Sequence, residues 1–130
     1  MREPHPPGAA DGATTVLIVD DDTAFARLAA SLLSARGYRV LGSAASAEEG
    51  LAEFTRLQPD AVLIDVRLPD RNGVNLAAEL CAGPGRTCVL LTSTDAGSVT
   101  DETIRRSGAS GFVPKTELTR TDLRKYLQQR

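Results

Sequence analysis

The sequence predicts an α/β protein, a doubly wound five-stranded parallel sheet carrying five helices. Three observations lead there. Apolar runs such as Val16-Leu17-Ile18-Val19 show no alternation, as strands buried on both faces require. Segments with helical spacing of apolar residues lie between them. The two kinds of signal alternate strictly from Val16 onward, the pattern of right-handed crossovers on a parallel sheet.

Residues 1–14, "MREPHPPGAADGAT", are rich in Pro, Gly and Ala and read as a flexible leader before a domain covering residues 15–130. Val16 to Val19 is the first strand. Phe25, Leu28, Ala29, Leu32 and Leu33 form one helical stripe, and Gly37 is a suitable C′ stop. Tyr38 to Leu41 reads as the second strand. Ser46-Ala47-Glu48-Glu49 is a capping box that opens a helix ending at Pro59. Ala61 to Ile64 is the third strand. Asn72-Gly73 turns the chain into a short helix through Val74, Ala77, Ala78 and Cys81, broken by Gly83-Pro84-Gly85. Cys88 to Leu91 is the fourth strand, and a poorly amphipathic helix follows from about Val99 to Arg106, with Gly108 near its end. Gly111 to Val113 is the fifth strand, placed at an edge because Pro114 cannot donate to a ladder. Thr119 and Asp122 signal the start of a last helix over about Asp122 to Gln129.

Bulk properties exclude several functions. With 15 basic and 17 acidic residues, the chain has no excess charge to draw it to nucleic acid or membrane. No apolar run is long enough to span a bilayer, and the N-terminus lacks the apolar core of a signal peptide. Cys81 and Cys88 have no CxxC spacing and read as reduced thiols of a cytoplasmic protein. The single histidine, His5, lies in the leader, which excludes a core catalytic histidine and a multi-histidine zinc site.

The strand ends carry the chemistry. The first apolar run is followed by Asp20-Asp21-Asp22, the third by Asp65, the fourth by Thr92-Ser93-Thr94 and the fifth by Pro114-Lys115. In a parallel sheet these ends share one edge, where such folds place their sites. An Asp after a strand is commonly a helix cap or turn former, which accounts for Asp22 and is also open for Asp70. The remaining set has a further reading. Close carboxylates repel unless a cation joins them, and all-oxygen ligands select Mg²⁺ or Mn²⁺. Lys115 is a point charge suited to phosphate, and the Thr92 hydroxyl can donate to an anionic oxygen. Asp65 is then a nucleophile candidate for an aspartyl phosphate, and phosphoryl transfer needs little beyond positioning and charge.

"VLIVDDD", "VLIDVRLPDRNG", "VLLTS" and "GASGFVPK" resemble, in order, the four signatures of the response-regulator receiver domain of two-component signalling, the chemotaxis-regulator type. The resemblance implies a flavodoxin-like strand order 2-1-3-4-5 and a role for each matching position. Asp65 is the phosphoacceptor. Asp21 and Asp20 hold the metal with Asp65 and the backbone carbonyl of Arg67. Thr92 and Lys115 contact the phosphoryl group, and Phe112 with Thr92 forms the switch. It implies a signalling switch rather than an enzyme, catalysing only its own phosphoryl transfer and slow autodephosphorylation. Implied partners are a sensor histidine kinase or phosphotransfer protein, a downstream target or output domain, and, in some members, a second copy in a phosphorylation-dependent homodimer; neither nucleic acid nor membrane is contacted directly.

Three positions depart from or vary within the pattern. Thr116 stands where family members usually have a proline, often cis, so a trans Lys115-Thr116 bond is expected. Arg67 and Thr94 flank the phosphoryl site and should set how fast it hydrolyses. The chain stops directly after its last helix, which leaves open a stand-alone receiver or one domain of a transcription regulator, and the missing proline leans to the second. A phosphatase with an aspartyl nucleophile would want an acid where Arg67 stands. A flavin protein of this topology would not place Asp20-Asp21-Asp22 at its phosphate loop. A receiver-like module that never phosphorylates usually lacks an acid or the lysine, and both are present.

Overall fold

A computed structural model describes residues 12–95, 97 and 99–128. Most of the expected leader, including His5, lies outside the described residues. Five parallel strands, β1 (Thr15–Val19), β2 (Arg39–Ala44), β3 (Ala61–Asp65), β4 (Cys88–Ser93) and β5 (Gly111–Pro114), form one sheet in the order β2-β1-β3-β4-β5. Between and after them run α1 (Thr23–Ala35), α2 (Ala47–Leu57), α3 (Gly73–Cys81), α4 (Asp101–Ser107) and α5 (Arg124–Leu127), with a 3₁₀ segment, Lys115–Arg120, leaving β5.

The unalternating runs are buried as expected, because helices cover both faces. One face packs α1 and the C-terminal elements over β1 and β3, through Phe25, Leu33, Leu118, Leu123 and Leu127. The other packs α2, α3 and α4, through Ala47, Leu76, Leu80 and Ile104. Leu63 and Leu90 point to the first face and Val62 and Leu91 to the second, the period-2 alternation of a pleated sheet. Cys88 belongs to the first face and Cys81 to the second, so the sheet separates the two free thiols.

Local signals explain most boundaries. Asp22 caps α1, its Oδ1 accepting the Phe25 N–H at 3.1 Å. Gly37 ends α1 at φ +94°, while the Tyr38 N–H reaches back to the Leu33 carbonyl at 3.0 Å. Ser46 caps α2 through the Glu49 N–H at 3.1 Å; the Glu49 carboxylate accepts from Ala45 N–H, one residue ahead of the usual box.

Other boundaries differ from the expectation. β2 runs on to Ala44, because Gly42, Ser43 and Ala44 pair with β1 after a bulge at Val16/Leu17. α2 closes through Gln58 in the left-handed region at φ +50°, just before Pro59. α4 begins at Asp101 rather than Val99: the Thr100 hydroxyl accepts the Thr103 N–H, and Asp101 and Glu102 fill the positive first turn. The last helix is only Arg124–Leu127 instead of Asp122 to Gln129. Thr119 is spent in the 3₁₀ segment, and Asp122 turns back onto Arg124, meeting its N–H and its guanidinium. Gln129 lies outside the described residues. Among the described residues no peptide is cis, so Lys115-Thr116 is trans as expected.

Candidate functional site

Strand register brings the polar residues together. Asp65 is the last residue of β3 and lies directly opposite Thr92 of β4, which in turn lies opposite Val113 of β5. Asp20 and Asp21 follow β1, the neighbour of β3 on the other side. Each acid sits at the carboxyl-terminal edge of the sheet, after an apolar run whose side chains fill the core.

Asp20 and Asp65 are 3% and 6% exposed, so both carboxylates have lost most of their water. Lys115 meets both, its Nζ 2.9 Å from Asp20 Oδ2 and 3.4 Å from Asp65 Oδ2. A Phe25 ring lies on another side of the ammonium, its centroid 4.4 Å from Nζ, a cation–π contact. Asp20 Oδ1 accepts the Asp22 N–H at 2.8 Å, so the first acid also fixes the residue that caps α1.

The electrostatics follow from burial. Desolvation raises the Asp20 pKa above 3.8, with the Lys115 ammonium and the Asp22 N–H pulling it down and the Asp65 charge adding to the rise. For Lys115, burial works against the charged form, but Asp20 and Asp65 outweigh it and hold the ammonium above its usual 10.5. Two buried acids thus share one cation, a site one positive charge short.

Asp21 is exposed, and one carboxylate oxygen from each of Asp20, Asp21 and Asp65 can be chosen so that all three lie within 4.8 Å of one another. The buried Asp20 Oδ2 has the Lys115 ion pair but no aligned hydrogen bond. Three acids, all oxygen donors, with unspent acceptor capacity and a charge deficit fit a hard divalent cation such as Mg²⁺.

Thr92 is fully buried, and its hydroxyl donates to the Val113 carbonyl at 2.7 Å, so its proton is committed to β5. Ser93 is also fully buried and accepts the Asp95 N–H at 3.1 Å. Phe112 is not part of the acidic cluster; it lies half-buried near Val99 and Ile104, against the second core.

The loop after Asp65 is closed twice at its base. Arg67 and Asn72 form an antiparallel bridge, and the Gly73 N–H donates to the Val66 carbonyl at 2.7 Å. The Arg67 N–H donates to Asp65 Oδ1 at 3.1 Å, while its guanidinium reaches exposed Asp95 at 3.4 Å. Gly73 is required by contact rather than by a turn: a Cβ there would stand 2.1 Å from the Asp65 carbonyl oxygen.

Sequence reasoning did not single out Phe25, Asp95 or the reach of Asp70. Phe25 was legible only as a core residue of the α1 stripe, and Asp95 follows the Thr92-Ser93-Thr94 run with no signal of its own. Asp70 looked like a turn former, yet it binds the N-terminus of α2.

The response regulator receiver domain model matches residues 16–128, and the chain belongs to that family. It is 37% identical over 102 residues to the DNA-binding transcriptional activator DevR/DosR of Mycobacterium tuberculosis, covering 77% of this chain and 46% of that protein. It is 28% identical over 101 residues to the chemotaxis protein CheY of Thermotoga maritima, covering 77% of this chain and 83% of that one. Among solved structures, a LuxR-family two-component response regulator from Aurantimonas sp. SI85-9A1 superposes with a TM-score of 0.76 at 27% identity, covering 83% of this chain and 78% of that one. The chain thus spans less than half the activator's length. Receiver domains are signalling switches, and the strand order found here is the one that goes with CheY-type folds.

Proposed function

We propose that residues 15–130, after a leader of residues 1–14, form the phosphoacceptor receiver of a cytoplasmic two-component response regulator. One observation supports it most: buried Asp65 and Asp20 share the single ammonium of Lys115 beside exposed Asp21. Asp65 takes a phosphoryl group from a phosphohistidine of a sensor kinase or phosphotransfer protein. The histidine N–P bond breaks as an Oδ–P bond forms on Asp65, and the histidine nitrogen leaves with the electron pair and takes a proton. In slow autodephosphorylation, water replaces the Asp65 oxygen on phosphorus and releases inorganic phosphate.

Asp20, Asp21, Asp65 and the Arg67 carbonyl would hold the divalent cation, Mg²⁺ or Mn²⁺, whose charge offsets that building on the transferred group. Lys115 exchanges its carboxylate contacts for a phosphoryl oxygen. The Thr92 hydroxyl has one proton, so donating to the phosphoryl group means leaving the Val113 carbonyl. That releases a hydrogen bond on edge strand β5, and Phe112, on the same strand, turns inward as the surface of α4, β5 and α5 changes. The switch is a shift between two populated states.

The similarity to a DNA-binding activator, together with Thr116 in place of proline, favours an input domain of a transcription regulator over a stand-alone receiver. Its direct contacts are then kinase, output domain and, in the phosphorylated state, a second copy, and not DNA.

The test is intact mass after incubation with acetyl phosphate and Mg²⁺. The expected result is one phosphoryl adduct in the wild-type chain and none in Asp65→Asn. An adduct that persists in Asp65→Asn, or no adduct in either chain, overturns the reading.

A further inference from the structure

We propose that Asp70 is a positioning residue for the cation site: it straps the tip of the loop that carries Arg67 onto the N-terminus of α2. Asp70 Oδ1 accepts the Ala47 N–H at 2.8 Å, and Oδ2 accepts the Glu48 N–H at 2.9 Å. Those are two of the free N–H groups of the first turn of α2, while the Ser46 hydroxyl takes that of Glu49. Three N–H groups at one helix end are thus met by two residues, one local and one more than twenty positions away.

The loop needs such a strap. Its base is closed by the Arg67–Asn72 bridge and the Gly73–Val66 hydrogen bond. Between these closures, residues 68–71 have, among the described residues, two anchors to the fold's second face besides a surface ion pair with α3. Leu68 is buried in the core by an apolar contact that does not fix direction. Asp70 supplies the directional one, a carboxylate gripping two parallel N–H groups with the helix dipole behind them. Arg71 pairs with Glu79 of α3 at the surface, a contact of the loop with the helix that follows it. The hydrogen bonds from Ala47 and then Glu48 hold the Asp70 carboxyl below its usual 3.8, so it stays charged throughout the neutral range. Arg67 is three residues upstream, on a chain too short to relax independently of its tip. The strap therefore sets where the Arg67 carbonyl stands relative to Asp65, as outer partners of metal ligands do elsewhere.

The proposal rests on the phosphoacceptor reading, since it assigns Asp70 to that reading's cation. The experiment is Mg²⁺ binding to the full chain by calorimetry, alongside hydrogen exchange of the backbone amides. In Asp70→Ala the Mg²⁺ dissociation constant should rise about tenfold, with faster exchange at Ala47, Glu48 and residues 67–72. Asp70→Asn, which keeps one acceptor oxygen and the side-chain volume, should fall between. Ser46→Ala is the control: it loosens the same helix end without touching the loop, and should leave Mg²⁺ affinity unchanged. If wild type binds Mg²⁺ and Asp70→Ala matches it within about twofold, the strap is overturned alone. Equal losses in Ser46→Ala and Asp70→Ala also overturn it, because helix stability then explains both. If wild type binds no Mg²⁺, the phosphoacceptor reading falls and takes the strap with it.

Discussion

Gly73→Ala should be among the most damaging single-methyl changes in the molecule. An alanine Cβ would stand 2.1 Å from the Asp65 carbonyl oxygen and 2.9 Å from both the Asp65 carbonyl carbon and the Val66 Cα. Real Cβ atoms essentially never come under 3.0 Å, so the gap to the oxygen must open by about 0.9 Å. Every obstructing atom is backbone, so no rotamer change relieves the clash. Either the end of β3 or the start of α3 has to move, and the 2.7 Å Gly73–Val66 hydrogen bond lies across the same gap. Overpacking costs about 1–3 kcal/mol and a lost hydrogen bond about 1 kcal/mol more. A total near 3 kcal/mol lowers the melting midpoint of a domain this size by about 10 °C or more. Circular dichroism is the assay, because the chain has no tryptophan to follow. Gly83→Ala is the comparison: its Cβ would meet only the Leu80 carbonyl oxygen at 3.6 Å, an ordinary contact. A Gly73→Ala midpoint within about 2 °C of wild type would refute the reasoning. A normal midpoint in Gly83→Ala shows that the effect belongs to the contact and not to glycine loss in general.

Thr92→Val keeps the shape of a fully buried residue but leaves the Val113 carbonyl without its side-chain donor; about 1–3 kcal/mol of stability should be lost in chemical denaturation. Arg67→Ala should shorten the lifetime of the aspartyl phosphate, measured by the decay of the mass adduct, because the exposed Arg67–Asp95 pair stands beside the Asp65 loop; an unaltered half-life removes that role. The pH dependence has two opposed parts. The folded Asp20 pKa is raised, so without cation its contribution to stability is full below about 3.8 and is lost as pH rises through the folded value. Cation binding needs the carboxylate and runs the other way, so the midpoint gain from saturating Mg²⁺ should be larger near pH 8 than near pH 5, about where carboxylates begin to protonate. Asp70 has the opposite sign to Asp20: its folded pKa is lowered, so the α2 contact holds above the ordinary carboxylate value and is lost only as pH falls through the folded one, visible as an amide shift change at Ala47 and Glu48.

What could be read in advance follows from how local each cause is. The five strands were legible because Val16-Leu17-Ile18-Val19 and its counterparts leave no room for an exposed face. The acidic cluster was legible because parallel pairing puts all strand ends on one edge, so Asp20, Asp21, Asp65 and Lys115 could be placed side by side without knowing any distance. The caps at Asp22 and Ser46 depend on neighbours three residues away and were equally visible. What stayed hidden involves partners distant in the chain. Asp70 meets a helix that precedes it, and a turn-forming sequence gives no hint of that. Gly73 looked like the second half of an Asn-Gly turn, whereas its φ is ordinary and its smallness serves Asp65. The C-terminal helix is expected too long because Thr119 and Asp122 look like start signals, whereas Thr119 lies in the 3₁₀ segment and Asp122 turns back onto Arg124.

The pairing of Lys115 with Asp20 also bears on how the chain is made. Asp20 leaves the ribosome with the first strand, and Lys115 only after the last strand of the sheet. Until then β1 ends in an acid that the finished protein buries and that has no counter-charge. A nascent chain that stops after β4 can assemble most of the sheet, yet it must keep that acid wet or protonated. Closure of the acidic site and completion of the sheet are therefore one late event, and a chain cut after β4 should stall with its first strand end open to water.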